Sequence, residues 1–371
     1  LFFFYNKGVY TVKKMDINKV AVLGAGYMGS AITFPLSDRG IAVNLWGTWL
    51  DDEIIDICKK GQHPKLKKPL PGTVKLFHSK ELEAALADAQ YLFIAVSSQG
   101  FLPVCNKILD NLTQGRPFFV LTKGFVDAGG RVKRISTAGN DIIRSRGYSG
   151  ISTRGEFKWV SIGGPVKAVE LCHKIPSATI YGTEDGVLRD SVKFFQTAYY
   201  RISTCNEITG VELSAAFKNV YAIGLGICDG IYASRGQKEY HNLCAILFSR
   251  SLEEISIIVE KEDGDAMAVW HLAGVGDLYV TGRSGRNREF GELVGKGQEP
   301  IDAYNMMLAD GRLVEGYDTL KLGMQWIQDK DERLIERLPL LKTLFRIIFH
   351  GYDPETELKR FVEGYPYPKL R

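Results

Sequence analysis

The chain has no CxxC pair. Cys58, Cys105, Cys172, Cys205, Cys228 and Cys244 stand singly along 371 residues. Isolated cysteines, several of them in apolar runs, read as reduced thiols packed like small hydrophobes, which points to a reducing, cytoplasmic setting and away from a disulfide-stapled secreted domain. The six histidines form no HExxH or similarly spaced pair, so no metal site is expected. No apolar run has the length of a membrane span. The opening LFFFYNKGVYTVKKM holds only five apolar residues in a row, shorter than a signal-peptide core, so neither export nor membrane insertion is expected. Long basic blocks are missing too: 47 Lys and Arg stand against 43 Asp and Glu, and Lys65, Lys67 and Lys68 in HPKLKKPLPG read as a solvated loop. A surface that tracks nucleic acid is therefore not expected.

What is present describes a soluble globular protein. Hydrophobic residues make up 45% and charged residues 24%, enough to bury a sizeable core, and 371 residues suit two domains. From Lys19 the chain alternates apolar runs with helical stretches: KVAVL, the run ending at Trp46, YLFIAV at 91–96, FFVLT at 118–122, WVSI at 159–162 and SATIYG at 177–182. That alternation predicts a parallel sheet with helices on both faces. After Cys205 the strand signals fade, and long helical patterns such as ELSAAFKNVYAIGLGICDGIY and HNLCAILFSRSLEEISIIVEK follow. The expected class is α/β: an N-terminal doubly wound, Rossmann-type, mainly parallel sheet over residues 15–205, then an all-helical substrate and catalytic domain over 206–371. Residues 1–14 precede Met15 and read as an N-terminal extension.

Gly24-Ala25-Gly26-Tyr27-Met28-Gly29 is a GxGxxG lying between an apolar strand and a helix, the context a dinucleotide-binding turn requires. Gly24 suits the tight turn, Gly26 lets a pyrophosphate approach the backbone, and Gly29 permits helix-on-strand packing. The acidic residue expected near the end of the next strand, where it would hold a ribose 2′-hydroxyl, is missing: Asn44 to Thr48 is neutral. With Thr48 there, NADP is at least as well suited as NAD. Other strand ends offer Ser98, Lys123 and the Gly163-Gly164-Pro165 turn. In the helical half, AGVGDL sets Asp277 in a glycine-rich break, and TGRSGRNR presents Arg286 and Asn287, whose planar and amide donors suit a phosphate.

Lys218 is the most telling residue. It sits in SAAFKNVYAIGLGICDG, sharing a helical face with Val211, Ser214, Ala215, Tyr221, Ala222 and Leu225, so no carboxylate lies within a turn. Either its stem covers apolar surface while its ammonium reaches water, or it is a desolvated ammonium held for proton transfer.

Together, GAGxxG, TKG after a middle strand, GGP before a helix, AAFKNVYAIGLGICDG, AGVGDL, GRNREFG and VEGYDT, in this order, resemble the NAD(P)-dependent glycerol-3-phosphate dehydrogenase family from about Lys19 to past Thr319. The resemblance implies that Lys218 is the acid/base, completed by Lys123 and Asp277. It further implies that Arg286 and Asn287 serve substrate phosphate and nucleotide, that Glu315 lies beside the cofactor, and that Gly164 and Ala168 line the crevice. Tyr27, Met28, Thr48 and Ser98 join the glycines as expected cofactor contacts. Val166 stands where many members carry a hydroxyl residue, which argues against a side-chain substrate contact there. The implied reaction moves hydride between NAD(P)H and dihydroxyacetone phosphate, a phosphorylated triose, to supply glycerophospholipid synthesis. A homodimer is an open candidate assembly.

Two rivals share parts of this pattern. A 3-hydroxyacid dehydrogenase of the same plan typically reads K-x-x-x-N, whereas here Asn219 follows Lys218 directly and Ala222 stands four residues on. A non-catalytic NAD(P) sensor has no need for Lys123, Lys218, Asp277 and Arg286 together.

Overall fold

The computed structural model describes residues 17–112, 114–147, 157–236 and 241–364, so the expected extension at 1–14 lies outside the described residues. Among the described residues the strands are β1 Lys19–Leu23, β2 Ala42–Trp46, β3 Val74–Phe77, β4 Tyr91–Ile94, β5 Phe118–Val120, β6 Phe125–Asp127, β7 Val132–Arg134, β8 Trp159–Gly163, β9 Ser177–Gly182 and β10 Tyr200–Cys205. Eight of them form one sheet in the order β10-β9-β8-β5-β4-β1-β2-β3. The segments β1, β2, β4, β5 and β8 are buried nearly end to end, which explains their continuous apolar runs: helices cover both faces.

The sheet is parallel from β3 through β8, but β9 runs antiparallel to β8, with β10 parallel to β9. Chain length gives a reason. The Ala168–Cys172 helix between β8 and β9 has five residues and rises about 7.5 Å, whereas a five-residue strand extends about 16 Å. That helix does not return the chain to the sheet's starting edge, so β9 begins near where β8 ends.

Three elements escape the sequence pattern. β3 and β10 are edge strands, so their burial is partial and their apolar runs are short. The β6–β7 hairpin follows Lys123 and Gly124 directly, and its Phe125 packs against Phe217 and Trp326 of the helical half, with ring centroids 5.5 and 5.1 Å away.

Helices dominate after Thr209. The Thr209–Ala233 helix is the axis of this half, buried almost continuously from Gly210 to Ile231, and the His241–Lys261, Asp277–Arg283, Arg286–Gly295 and Glu315–Asp331 helices pack around it. By length and composition it could cross a membrane, yet 94% of its most apolar stretch is buried within the protein. It is a core helix. Its small residues permit very close neighbours: a Cβ at Gly226 would collide with the Arg288 carbonyl, and one at Gly291 with the Ile223 carbonyl. This glycine seam holds the start of the Arg286–Gly295 helix against the central helix, where Asn287 reaches Asn219.

Candidate active site

The turn before the Tyr27–Asp38 helix has the shape of a phosphate cradle. Gly24 adopts φ +113°, and a Cβ there would lie 2.7 Å from the Ala95 carbonyl oxygen. Gly26 faces the other way, with nothing within 4 Å of the position a Cβ would take. The helix N-terminus beside it has no side-chain cap, so its backbone N–H groups are open to an anion, and Tyr27 and Met28 flank them. These residues fit the pyrophosphate of a dinucleotide.

Two residues outside the expected motifs shape this turn. His63 is fully buried; its Nε2 lies 3.1 Å from the Ala25 carbonyl, while Nδ1 accepts from the Lys65 and Leu66 N–H groups at 3.2 and 3.1 Å. Because Nδ1 accepts, Nε2 carries the proton, and burial lowers the pKa of the ring and favours this neutral form. HPKLKKPL is thus a brace for the glycine turn, with Lys65 5.4 Å from the Tyr27 ring centroid, rather than merely the solvated loop expected. The carboxylate absent from 44–48 arrives three residues later. Asp51 Oδ2 accepts from the Thr48 hydroxyl at 2.8 Å, the Thr48 N–H at 3.0 Å and the Ala25 N–H at 3.3 Å.

Further along the sheet's carboxyl edge, Ser98 begins the Ser98–Asp110 helix, and its hydroxyl oxygen lies 3.7 Å from where a Gly124 Cβ would be. Gly164 holds φ +133° after β8, and Ala168 opens the short helix that follows. Here the two halves meet closely: a Cβ at Gly276 would be 3.2 Å from Pro165 Cγ, and Lys167 Nζ donates to Ser284 Oγ at 3.1 Å. Val166 packs against the sheet's apolar core.

At that junction lie the residues the sequence reading singled out. Lys218 is 5% exposed and its ammonium donates to Asp277 Oδ1 at 2.8 Å and to Thr281 Oγ1 at 2.7 Å. Lys123, at the end of the β5 segment, donates to the other oxygen, Asp277 Oδ2, at 2.7 Å. Asp277 and Thr281 are four apart on one helix, hence on one face. Burial lowers the Lys218 pKa to about 8, with Lys123 adding to the fall and Asp277 resisting it. For Asp277, burial raises the pKa, but the two ammonium groups outweigh it and hold the carboxyl below its usual range. Burial likewise pulls Lys123 down, yet Asp277 and Glu315 carry it above an ordinary lysine. The snorkelling alternative for Lys218 does not describe this geometry.

A second, amide-based layer adjoins the first. Asn287 is buried, its amide donating to Asn219 Oδ1 at 2.9 Å and its oxygen accepting from the Gly316 N–H at 2.8 Å. Asn219 in turn donates to Glu315 Oε2 at 3.2 Å. Arg286 remains substantially exposed, with Glu315 Oε1 3.5 Å from its guanidinium. The sequence reading missed Thr281, Asn219, Asp51 and His63 as site residues. For Thr281 the signal was available in its helical spacing from Asp277.

Residues 19–188 match the N-terminus, and residues 207–359 the C-terminus, of NAD-dependent glycerol-3-phosphate dehydrogenase. The chain belongs to this family. It is 32% identical to the NADP(+)-dependent glycerol-3-phosphate dehydrogenase of Archaeoglobus fulgidus, over 91% of this chain and 97% of that one. A glycerol-3-phosphate dehydrogenase [NAD(P)+] of Clostridium tetani is 30% identical, covering 91% and 90%. Among solved structures, the glycerol-3-phosphate dehydrogenase of Coxiella burnetii superposes with a TM-score of 0.78 at 25% identity, over 93% of this chain and 99% of that one. The family places the paired lysines and their shared aspartate within a dehydrogenase.

Proposed function

We propose that the chain is an NAD(P)-dependent glycerol-3-phosphate dehydrogenase that interconverts dihydroxyacetone phosphate and glycerol 3-phosphate, supplying glycerophospholipid synthesis from a reducing cytoplasm. The carrying observation is the buried Lys218 ammonium held between Asp277 and Thr281, with Lys123 on the far carboxylate oxygen. The glycine-turn backbone with Tyr27 and Met28 would hold the dinucleotide, with Thr48, Ser98, Lys123, Ala168, Arg286, Asn287 and Glu315 along its length. When bound, the nicotinamide supplies or accepts the hydride.

The chain's own residues manage charge and proton. As the ketone is reduced, negative charge develops on its oxygen, and Lys218 stabilises that charge and donates the proton. In the reverse direction neutral Lys218 accepts the C2 hydroxyl proton, which a pKa of about 8 makes accessible near neutrality. Asp277 fixes the ammonium's direction and limits how far burial weakens its basicity. Lys123 adds positive potential beside the reacting oxygen, Gly164 contributes backbone to the substrate crevice, and Arg286 and Asn287 face the substrate phosphate.

A spectrophotometric assay with dihydroxyacetone phosphate and either reduced nicotinamide cofactor tests the reading; absent turnover with both would overturn it. On cofactor choice we propose that NADPH binds at least as well as NADH. Two points support this: the neutral end of β2, and an Asp51 oxygen already engaged by Thr48 and Ala25. Fluorescence titration of both cofactors checks it. A preference for NADH beyond about tenfold, worth about 1.4 kcal/mol, would mean that Asp51 reads the ribose, and Asp51→Asn should then abolish that preference.

A further inference from the structure

Behind the catalytic helix lies a separate cavity of about 630 Å³, lined by residues that include Cys244, Asp229, Leu278, Tyr279, Gly282 and Arg288. None of Lys123, Lys218, Asp277 or Arg286 lines it. At its lining residue Cys244 begins a feature that the dehydrogenase reaction does not use. Cys228, on the central helix, and Cys244, on the His241–Lys261 helix, bring their sulfurs to 3.3 Å. A disulfide needs about 2.05 Å, so the two sulfurs lie in van der Waals contact, about 1.3 Å beyond bonding distance. All six cysteines are free thiols in this structure. Cys228 is fully buried and Cys244 partly exposed to the cavity.

We propose that Cys228 and Cys244 form a modification site, a dithiol that a hydroperoxide converts to a disulfide in the folded enzyme, and that the link slows turnover by restraining the wall behind Asp277. The roles divide by access. Cys244 lines the cavity with its sulfur 3.9 Å from an Asp229 oxygen, and Arg288 neutralises that carboxylate at 2.6 Å, while Cys228 is buried and does not line the cavity.

The chemistry balances in two steps. Cys244 thiolate attacks the hydroperoxide; an S–O bond forms, the O–O bond breaks, sulfur loses two electrons, and the departing oxygen leaves as an alcohol or, from hydrogen peroxide, as water. Cys228 sulfur then attacks the sulfenic sulfur; the S–S bond forms, the S–O bond breaks, and hydroxide leaves as water with the Cys228 proton. The product ties the central helix to its neighbour across one cavity wall. The facing wall is the helix whose other side carries Asp277 and Thr281.

The test treats the intact enzyme with a modest excess of hydrogen peroxide, then counts thiols, maps linked peptides by mass spectrometry and measures turnover before and after dithiothreitol. The expected result is loss of two of the six thiols as a Cys228–Cys244 link, with lost turnover that dithiothreitol restores. In Cys228→Ser the link cannot form, Cys244 is trapped as a sulfenic acid by a dimedone probe, and the thiol-reversible loss disappears. Cys244→Ser, at the more exposed position, repeats the control should the buried change unfold the protein. Six surviving thiols, first oxidation at another cysteine, or a link that leaves turnover unchanged would overturn the proposal. Turnover rests on the activity proposed above; the thiol count and peptide map do not, so the two failures are distinguishable.

Discussion

At the scale of single residues, Lys218 carries the strongest expectations. In the proposed reaction its ammonium is the form that reduces dihydroxyacetone phosphate, and its pKa is lowered to about 8 chiefly by burial. The kcat/KM for reduction should therefore be level below about pH 8 and fall about tenfold per unit above it, while oxidation of glycerol 3-phosphate rises through the same range. Lys218→Met keeps the apolar stem and should lower turnover by on the order of 10²- to 10⁴-fold with NADPH binding, followed by fluorescence, nearly intact. Near-normal turnover in that variant would remove the lysine from the mechanism. Thr281→Val deletes an acceptor of the ammonium, so the pH break should move to lower values. Arg286→Ala should cost about 10- to 100-fold in kcat/KM for dihydroxyacetone phosphate, consistent with a charge-assisted hydrogen bond of about 1.5 to 3 kcal/mol, and spare unphosphorylated dihydroxyacetone at saturating NADPH. Equal losses on both substrates would move the phosphate to Lys123 and the backbone near Gly164. From sequence, the lysine's unpaired helical face was visible. Its partner was not, because Asp277 enters 59 residues later on another helix, and no periodicity reports contacts at that range.

The helical elements owe their closeness to what they lack. Where Gly226 meets the Arg288 carbonyl, an added methyl has no room, and overpacking of this kind typically costs about 1 to 3 kcal/mol. Gly226→Ala should lower Tm by several degrees and, by pushing the Arg286–Gly295 helix outward, weaken kcat/KM beyond any stability loss. A normal Tm would show that the seam yields freely. The far end of this half depends on Glu254, fully buried, whose carboxylate accepts from the Leu340 and Leu341 N–H groups at 2.7 and 2.9 Å, Arg250 Nε at 3.0 Å and the Tyr221 hydroxyl at 2.9 Å. Glu254→Ala leaves Arg250 its Glu253 and Arg337 partners but takes the acceptor from the Leu340 and Leu341 N–H groups, and should cost at least about 1 to 3 kcal/mol in denaturant unfolding. Long, strongly apolar elements such as the central helix and β1 were legible because burial on all sides leaves a continuous signal. The reversed β9, the edge strands β3 and β10 and the β6–β7 hairpin were not, since their placement follows from connection length and tertiary packing.

Across the whole molecule, Asp277 does more than the proposed orienting of a proton donor, because its two lysines come from opposite halves: Lys218 from the helical bundle and Lys123 from the rim of the sheet. Lys123 also depresses the pKa of Lys218 through its charge. Lys123→Met should accordingly move the pH break for reduction above about 8. The ion triad thus works as a proximity gauge. A motion that drew the sheet away from the bundle would lengthen the Lys123–Asp277 pair, return Asp277 more fully to Lys218 and make that lysine a weaker acid. Bringing the halves together has the opposite effect, so the acid strength of Lys218 peaks in the assembled crevice and relaxes when the crevice parts.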